Sequence, residues 1–217
     1  MKPKSVLITG ASSGIGAALA LEYADKGIFL ALSARNLDRL DLIANNCRKK
    51  GASVEIKILD VTKSKAMMEW ISEIDERVCL DLVIANAGIA GDRFDYGQAI
   101  NLTRMIFNTN IEGVLNTVIP ALNCMEQRGS GQIAIMSSLA SFRGFYGAPS
   151  YIATKAAVRI WGEGLRERYK EKGIKVSVIC PGFVKSRITE NNLFFFAIES
   201  IFDKSWNSKE LLPGFST

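Results

Sequence analysis

Short apolar runs alternate with longer amphipathic stretches from the first residues of the chain. Ser5 to Ile8 reads as a strand, Gly14 to Lys26 as a helix, Phe29 to Ser33 as a second strand and Asn36 to Lys50 as a second helix. The alternation continues through a strand at Val54 to Ile58, a helix near Ser64 to Val78, a strand at Leu82 to Ala85 and a long helix near Thr103 to Gln127. A strand at Gln132 to Met136, a helix at Ser150 to Lys172 and a strand at Lys175 to Ile179 complete it. The strand runs are apolar on both faces, which suits strands covered by helices on either side. The pattern therefore predicts an α/β fold, a doubly wound parallel sheet with helices on both faces. Gly27, Gly51, Gly129 and Gly173 each follow a helical stretch, where a left-handed residue closes the last turn. Pro120 lies inside the long helix and predicts a kink or a break there. No internal repeat, low-complexity tract or linker interrupts the alternation. At about 150 residues per domain, residues 1–217 are expected to form a single domain.

Composition narrows the function classes. With 48% apolar and 23% charged residues the chain sits among ordinary globular proteins. Its net charge of +5 comes from 27 basic and 22 acidic residues. The basic runs are short, as at Arg48-Lys49-Lys50, or interleaved with Glu167 and Glu171 between Arg166 and Lys172. That is a solvated surface, and no nucleic-acid partner is expected. The first apolar run ends at Thr9-Gly10, too short for a signal-peptide core, and nowhere do about 18 apolar residues run together. A soluble, cytoplasmic protein with no membrane span is expected. Cys47, Cys79, Cys124 and Cys180 show no C-x-x-C and no pairing rhythm, so they read as reduced core thiols. The chain contains no histidine, which removes the Ser-His-Asp triad, histidine proton shuttles and histidine zinc sites together. No metal site is expected, and any acid-base chemistry needs another residue type.

The first strand runs into Thr9-Gly10-Ala11-Ser12-Ser13-Gly14-Ile15-Gly16 and then a helix. Glycines at a strand-to-helix turn let the backbone bend tightly and let a pyrophosphate approach free N–H groups at the positive end of the helix. Gly10, Ser12, Ser13, Gly14, Ile15 and Gly16 are accordingly candidates for binding a dinucleotide, with a purely structural turn as the alternative. NAD-selective sites of this kind place an acid at the end of the second strand, about 20 residues on. Here that place holds Ala34, followed by Arg35. A guanidinium can bind a 2'-phosphate bidentately and stack on adenine, where a carboxylate would repel that phosphate. NADP(H) is therefore preferred over NAD, against the alternative that Arg35 is merely solvated. Asp60-Val61, after the third strand, either hydrogen-bonds adenine or caps the next helix.

Tyr151 and Lys155 stand at i, i+4 near the start of a helix, which puts the phenol and the ammonium on one face. A free phenol titrates near ~10, and a neighbouring cation stabilises phenolate and lowers that value. Without histidine this pair is the strongest acid-base candidate, although many helices carry such a pair as surface decoration.

The order of motifs decides between these readings. The glycine turn is followed by Asn86-Ala87-Gly88 after the fourth strand and then by Asn110. Ser137-Ser138 follow the fifth strand, then come Tyr151 and Lys155, and Pro181-Gly182 follow the sixth strand. The chain resembles the short-chain dehydrogenase/reductase family over residues 5 to about 189. The resemblance implies a Rossmann fold and an NADP-dependent oxidoreductase moving hydride between nicotinamide and a carbonyl or secondary alcohol. By the same resemblance Tyr151 is the general acid in carbonyl reduction and Ser138 holds and polarises the substrate oxygen. Lys155 lowers the tyrosine pKa and binds the nicotinamide ribose, and Asn110 anchors a water in the proton path. Asn86, Ala87 and Gly88 belong to the cofactor site. Pro181, Gly182 and Val184 line the nicotinamide side, and Ser186 stands where the family commonly has a threonine bonding the carboxamide. Read as residues alone, Ser138 can instead cap a turn and Asn110 can satisfy backbone within a helix, and Ser137 is the structural serine of its pair.

Past Thr189 the resemblance fades and the C-terminal end is shorter than usual, which predicts an open sheet edge and a homodimer in place of the family's usual tetramer. Residues 190–217 form a divergent tail in which positions 194, 195, 198, 201 and 202 make one apolar helical stripe, expected to act as a lid or a subunit contact, with Glu190, Glu199 and Asp203 arguing against a membrane-surface helix. Substrate selection falls to the loop Ile89 to Ala99 and to this tail, whose phenylalanines suit an apolar substrate. The rival function, a dinucleotide-binding protein without turnover, would follow if the shortened end left the substrate pocket unformed.

Overall fold

The computed structural model describes residues 3–91, 96–144, 147–182 and 184. Six strands form one parallel sheet in the order β3-β2-β1-β4-β5-β6: β1 (Ser5–Thr9), β2 (Phe29–Ala34), β3 (Ser53–Ile58), β4 (Leu82–Ala85), β5 (Gly131–Met136) and β6 (Ile174–Ile179). The crossovers are α1 (Gly14–Tyr23), α2 (Leu37–Lys49), α3 (Ser64–Val78), α4 (Tyr96–Phe107) with α5 (Gly113–Arg128), and α6 (Pro149–Tyr169). Alternate side chains of β1 enter different cores. Leu7 packs with Trp70 and Ile71 of α3 and Val118 of α5, whereas Val6 and Ile8 pack with Ala20 of α1 and Leu40 of α2. This two-sided burial is the physical reason the central strands read as unbroken apolar runs.

Strand order reverses between β1 and β4, so the crossovers diverge there and leave a crevice beyond the carboxyl ends of the strands. The left-handed glycines that lead into strands lie at the opposite rim, although Gly27 does not close α1 as expected, because that helix ends at Tyr23 with the extended Ala24 after it. Gly27, Gly51, Gly129 and Gly173 all have positive φ, and each leads into the amino end of a strand. At the carboxyl rim α1 opens on the glycine turn. Asn36 caps α2 there by accepting from the Arg39 N–H at 3.0 Å, while Asp38 in the first turn and Arg48 and Lys49 in the last complement the helix dipole.

Several expectations are corrected. The long helix begins at Tyr96, not near Thr103, and is divided at a π-helical turn, Asn108–Glu112, while Pro120 is accommodated inside α5 without a break. The division falls at Asn110 because its side chain turns inward to bond another segment, and the wider π turn supplies the room. Strand β3 is not apolar on both faces. It is an edge strand, and Glu55 on it pairs with Arg77 of α3 at 2.9 Å, so the edge carries charge. β6 is the other edge among the described residues. All four cysteines are free, but only Cys47 is a core thiol. Cys124 and Cys180 are half-buried, and Cys79 is exposed, closing α3 with a φ of 51° where no glycine was available. No helix among the described residues is long and apolar enough to cross a membrane. Ser186 and the tail 190–217 lie outside the described residues.

Candidate active site

A single cleft runs along the carboxyl ends of the strands and collects nearly all the candidate residues. At its centre the glycine turn leaves β1 with Gly10 at φ +68° and Gly14 at φ +54°. A Cβ on Gly10 would lie 2.8 Å from the Cα of Ala87, so the β1 turn and the segment after β4 touch backbone to backbone. Asn86 fastens that contact. Its Nδ2 donates to the carbonyls of Thr9 at 2.9 Å and Gly10 at 3.3 Å, and the Thr9 hydroxyl accepts from the N–H groups of Asn86 and Ala87. Gly16 does not line the cleft. It sits beneath the turn, where a Cβ would meet Asn86 Nδ2 at 2.5 Å, and it lets α1 approach the sheet closely. Ser12, Ser13, Gly14 and Ile15 face the cleft. No side chain caps α1 and no acid stands in its first turn, so its N–H groups point unopposed at the cleft. That cradle fits a pyrophosphate.

One end of the cleft is lined by Arg35, Asn36 and Arg39 from the start of α2, with Leu59, Asp60 and Val61 after β3. Asp60 closes a turn, its Oδ1 accepting from the Thr62 N–H at 3.0 Å, so it does shape the approach to α3 as well as face the cleft. Burial pushes its pKa up, but hydrogen bonds from Thr62 and the charges of Arg35 and Lys63 outweigh this and hold the carboxyl below its usual range.

Gly88, Ser138, Tyr151, Lys155, Pro181, Gly182 and Val184 line the other end. Tyr151 and Lys155 do share one face of α6, and both are buried. The Tyr151 hydroxyl is hydrogen-bonded to the side chain of Ser138. Ser138 also accepts from the Ala140 N–H at 3.1 Å, so it caps the 3-10 turn Leu139–Phe142 and faces the phenol at once. Ser137 donates to the carbonyl of Lys155 at 2.8 Å and holds α6 against the end of β5. Lys155 Nζ lies 5.7 Å from the Tyr151 ring centroid and donates to the carbonyl of Met136 at 2.8 Å. Burial brings the lysine pKa down to about 8. The expectation of a lowered tyrosine pKa is not met in the protein alone. Burial pushes the phenol up, and the bond from Ser138 only partly opposes this.

Asn110, on the π turn, does not reach the cleft surface, where Thr109 stands instead. Fully buried, its carboxamide accepts from the Ile89 N–H at 2.8 Å and donates to the Ile89 carbonyl at 2.9 Å and to the Thr154 hydroxyl at 3.1 Å. Its side chain satisfies the backbone of another segment, at Ile89, and not of its own helix. Sequence reasoning missed Arg39, although its i, i+4 spacing from Arg35 was a usable signal. It also missed Thr154 and the Met136 carbonyl, whose roles depend on tertiary packing. No group of three metal-ligating side chains occurs among the described residues.

A crevice at the switch point of a parallel sheet, with a pyrophosphate cradle at its middle and paired hydroxyls over a buried lysine at one end, defines a dinucleotide-dependent oxidoreductase. Comparison with known proteins agrees. The model of the short chain dehydrogenase family matches residues 4–193, and the chain belongs to that family. An uncharacterized oxidoreductase of Myxococcus xanthus is 39% identical over 89% of this chain and 77% of that protein. The structure of a short-chain dehydrogenase from Sphingobium yanoikuyae in complex with NADPH superposes with a TM-score of 0.79 at 30% identity, over 86% of this chain and 73% of that one. An NAD+-bound xylitol dehydrogenase superposes with a TM-score of 0.78 at 26% identity, over 83% and 70%. The chain is thus a hydride-transferring oxidoreductase that uses a nicotinamide dinucleotide.

Proposed function

We propose that this oxidoreductase prefers NADP(H) and reduces a carbonyl, or oxidises the corresponding secondary alcohol, with Tyr151 as the general acid and base. The observation that carries the reading is the convergence of Tyr151, Ser138 and Lys155 in the cleft that also holds the glycine cradle. When bound, the dinucleotide supplies or accepts the hydride. Ser138 and Tyr151 donate hydrogen bonds to the substrate oxygen, and Tyr151 passes its proton to that oxygen as it becomes an alkoxide. Lys155, an ammonium below a pH of about 8, stabilises the phenolate left behind and donates to the ribose hydroxyls. The cradle at Gly10 to Ile15 orients the pyrophosphate, Asp60 and Val61 border the adenine, and Asn86 to Gly88 with Pro181, Gly182 and Val184 enclose the nicotinamide side. Ser186 is the proposed partner of the carboxamide. An apolar substrate suits Leu139, which follows Ser138 directly, is exposed and stands beside Gly182 of the cleft. Incubation with NADPH and a panel of ketones tests the reading. Consumption of NADPH with at least one apolar ketone is expected, and binding without consumption on all of them would favour the rival, non-catalytic function.

Arg35 and Arg39 support the choice of NADP. Two exposed arginines that line the same end of the cleft, Arg35 before the cap of α2 and Arg39 in its first turn, with no acid at Ala34, suit a dianionic 2'-phosphate. Replacing both by alanine is expected to weaken NADPH binding about 10- to 100-fold and to leave NADH binding within about threefold, as read by titration with each dinucleotide. No preference for NADPH in the unaltered protein would overturn the assignment.

A homodimer is the assembly proposed. Helices α4 and α6 pack side by side and expose Ile100, Met105, Phe107 and Ile160, apolar area that a second copy would cover. Light scattering is expected to give a dimer for the protein and a monomer for Ile160→Asp, whereas a monomeric unaltered protein would refute it.

A further inference from the structure

We infer that Thr154 is a positioning residue for the reaction, tying the peptide of Tyr151 to the root of the loop after β4. The inference rests on the oxidoreductase reading above and adds to it a residue outside the cleft. Thr154 is fully buried on α6, one position before Lys155. Its hydroxyl uses its one proton and a lone pair in two specified directions. It donates to the carbonyl of Tyr151 at 2.7 Å and accepts from Asn110 Nδ2 at 3.1 Å. A threonine that merely bonds back to its own helix would make the first contact without the second. Here the second contact fixes the hydroxyl from a different segment. Asn110 in turn holds both the N–H and the carbonyl of Ile89, so a continuous chain of hydrogen bonds runs Ile89, Asn110, Thr154, Tyr151.

Geometry makes that chain consequential. Tyr151 sits in the first turn of α6, which no side chain caps. On the sheet side, Ser137 holds the Lys155 carbonyl and Met136 accepts from Lys155 Nζ. On the α4 side, Thr154 with Asn110 and the bond between the Thr103 and Ser150 hydroxyls provide the corresponding hold. Without the Thr154 hydroxyl, a buried N–H of Asn110 loses its partner, and the Tyr151 turn is held mainly from the sheet side. A displacement of the phenol by a fraction of an ångström is costly where proton transfer needs hydrogen-bond geometry.

The test is steady-state kinetics with NADPH and a ketone turned over by the unaltered protein, using Thr154→Val, Thr154→Ala and Thr154→Ser, each assayed well below its melting temperature. Thr154→Val keeps the shape and removes the hydroxyl, and Thr154→Ala removes it with less risk of a buried mismatch should the valine variant fail to fold. Expected is a kcat lower by about tenfold or more in the folded hydroxyl-less variant, with the KM for NADPH within about twofold. Its alkaline limb of the kcat profile is also expected to shift, whereas Thr154→Ser retains the normal kcat and profile. A hydroxyl-less variant with normal kcat and an unshifted profile, whatever its melting temperature, overturns the inference, and so does a serine variant as impaired as alanine. If the unaltered protein binds NADPH but turns over no ketone, the oxidoreductase mechanism itself fails and this role falls with it, an outcome distinct from both of these.

Discussion

Tyr151→Phe is expected to bind NADPH as the unaltered protein does while losing turnover on every ketone by about 10²- to 10⁴-fold. The ring stays where it is, because Ile106, Ala148 and Ile152 pack around it and phenylalanine fills the same space. Only the hydroxyl disappears, and with it the bond to Ser138 and the transferable proton. Burial holds this phenol above the usual tyrosine pKa in the protein alone, so at neutral pH it is fully protonated, as a donor in carbonyl reduction must be. For the proposed alcohol oxidation the same group must give up its proton first. The Ser138 hydroxyl favours phenolate, and the Lys155 Nζ, 5.7 Å from the ring centroid, is the cation proposed to stabilise it. Transient and steady-state NADPH absorbance measures the effect. Turnover within about tenfold of normal would mean that the proton comes from elsewhere.

Lys155→Met is expected to separate stability from activity. The folded-state pKa of about 8 lies below the ordinary value of 10.5, so folding a protonated Lys155 is unfavourable at neutral pH. At 1.36 kcal/mol per unit this amounts to about 3 kcal/mol. Between these two values the unfolded chain binds more protons than the folded one, so stability rises with pH from about 8 to 10.5 and the full cost is present below 8. Methionine removes the titration, and the variant is expected to lack about 3 kcal/mol of the alkaline gain seen in the unaltered protein. At pH 7 the relief is offset by leaving the Met136 carbonyl without its donor, a cost of about 1–3 kcal/mol, so absolute stability there changes little. Turnover nonetheless falls by about 10²-fold or more, because the charge facing the phenolate is gone. Urea unfolding at several pH values, beside kcat, reads both effects. Parallel stability profiles for the two proteins would show that Lys155 is not charged at a cost in the fold.

Most of the architecture was readable because a parallel sheet covered on both faces imposes a simple apolar rhythm. α3 at Ser64–Val78 and β4 at Leu82–Ala85 fall where that rhythm puts them. The places that escaped it are those where rhythm carries no information. The π turn at Asn108–Glu112 leaves the apolar spacing of its helix nearly intact, and its one trace is a polar Asn110 buried between Ile106 and Val114. Cys79 takes a left-handed conformation without glycine, so no punctuation announced it. The reactive end was legible as residue types, because the Tyr151 and Lys155 spacing places both side chains on one face. Their electrostatics were not, since desolvation depends on what covers them. The fixed partner of Lys155 is a main-chain carbonyl of β5, a contact that exists only once the helix lies on the sheet.

Gly27, Gly51, Gly129 and Gly173, the left-handed glycines that lead into strands, stand at one rim of the sheet, and the groups that line the cleft, Gly10 and Gly14 among them, stand at the other. Substitutions and insertions at the glycine rim therefore alter how readily the chain folds, while those at the opposite rim alter what it recognises. The two properties can diverge independently between relatives, and an engineer can graft a new recognition loop without rebuilding the turns that hold the layers together.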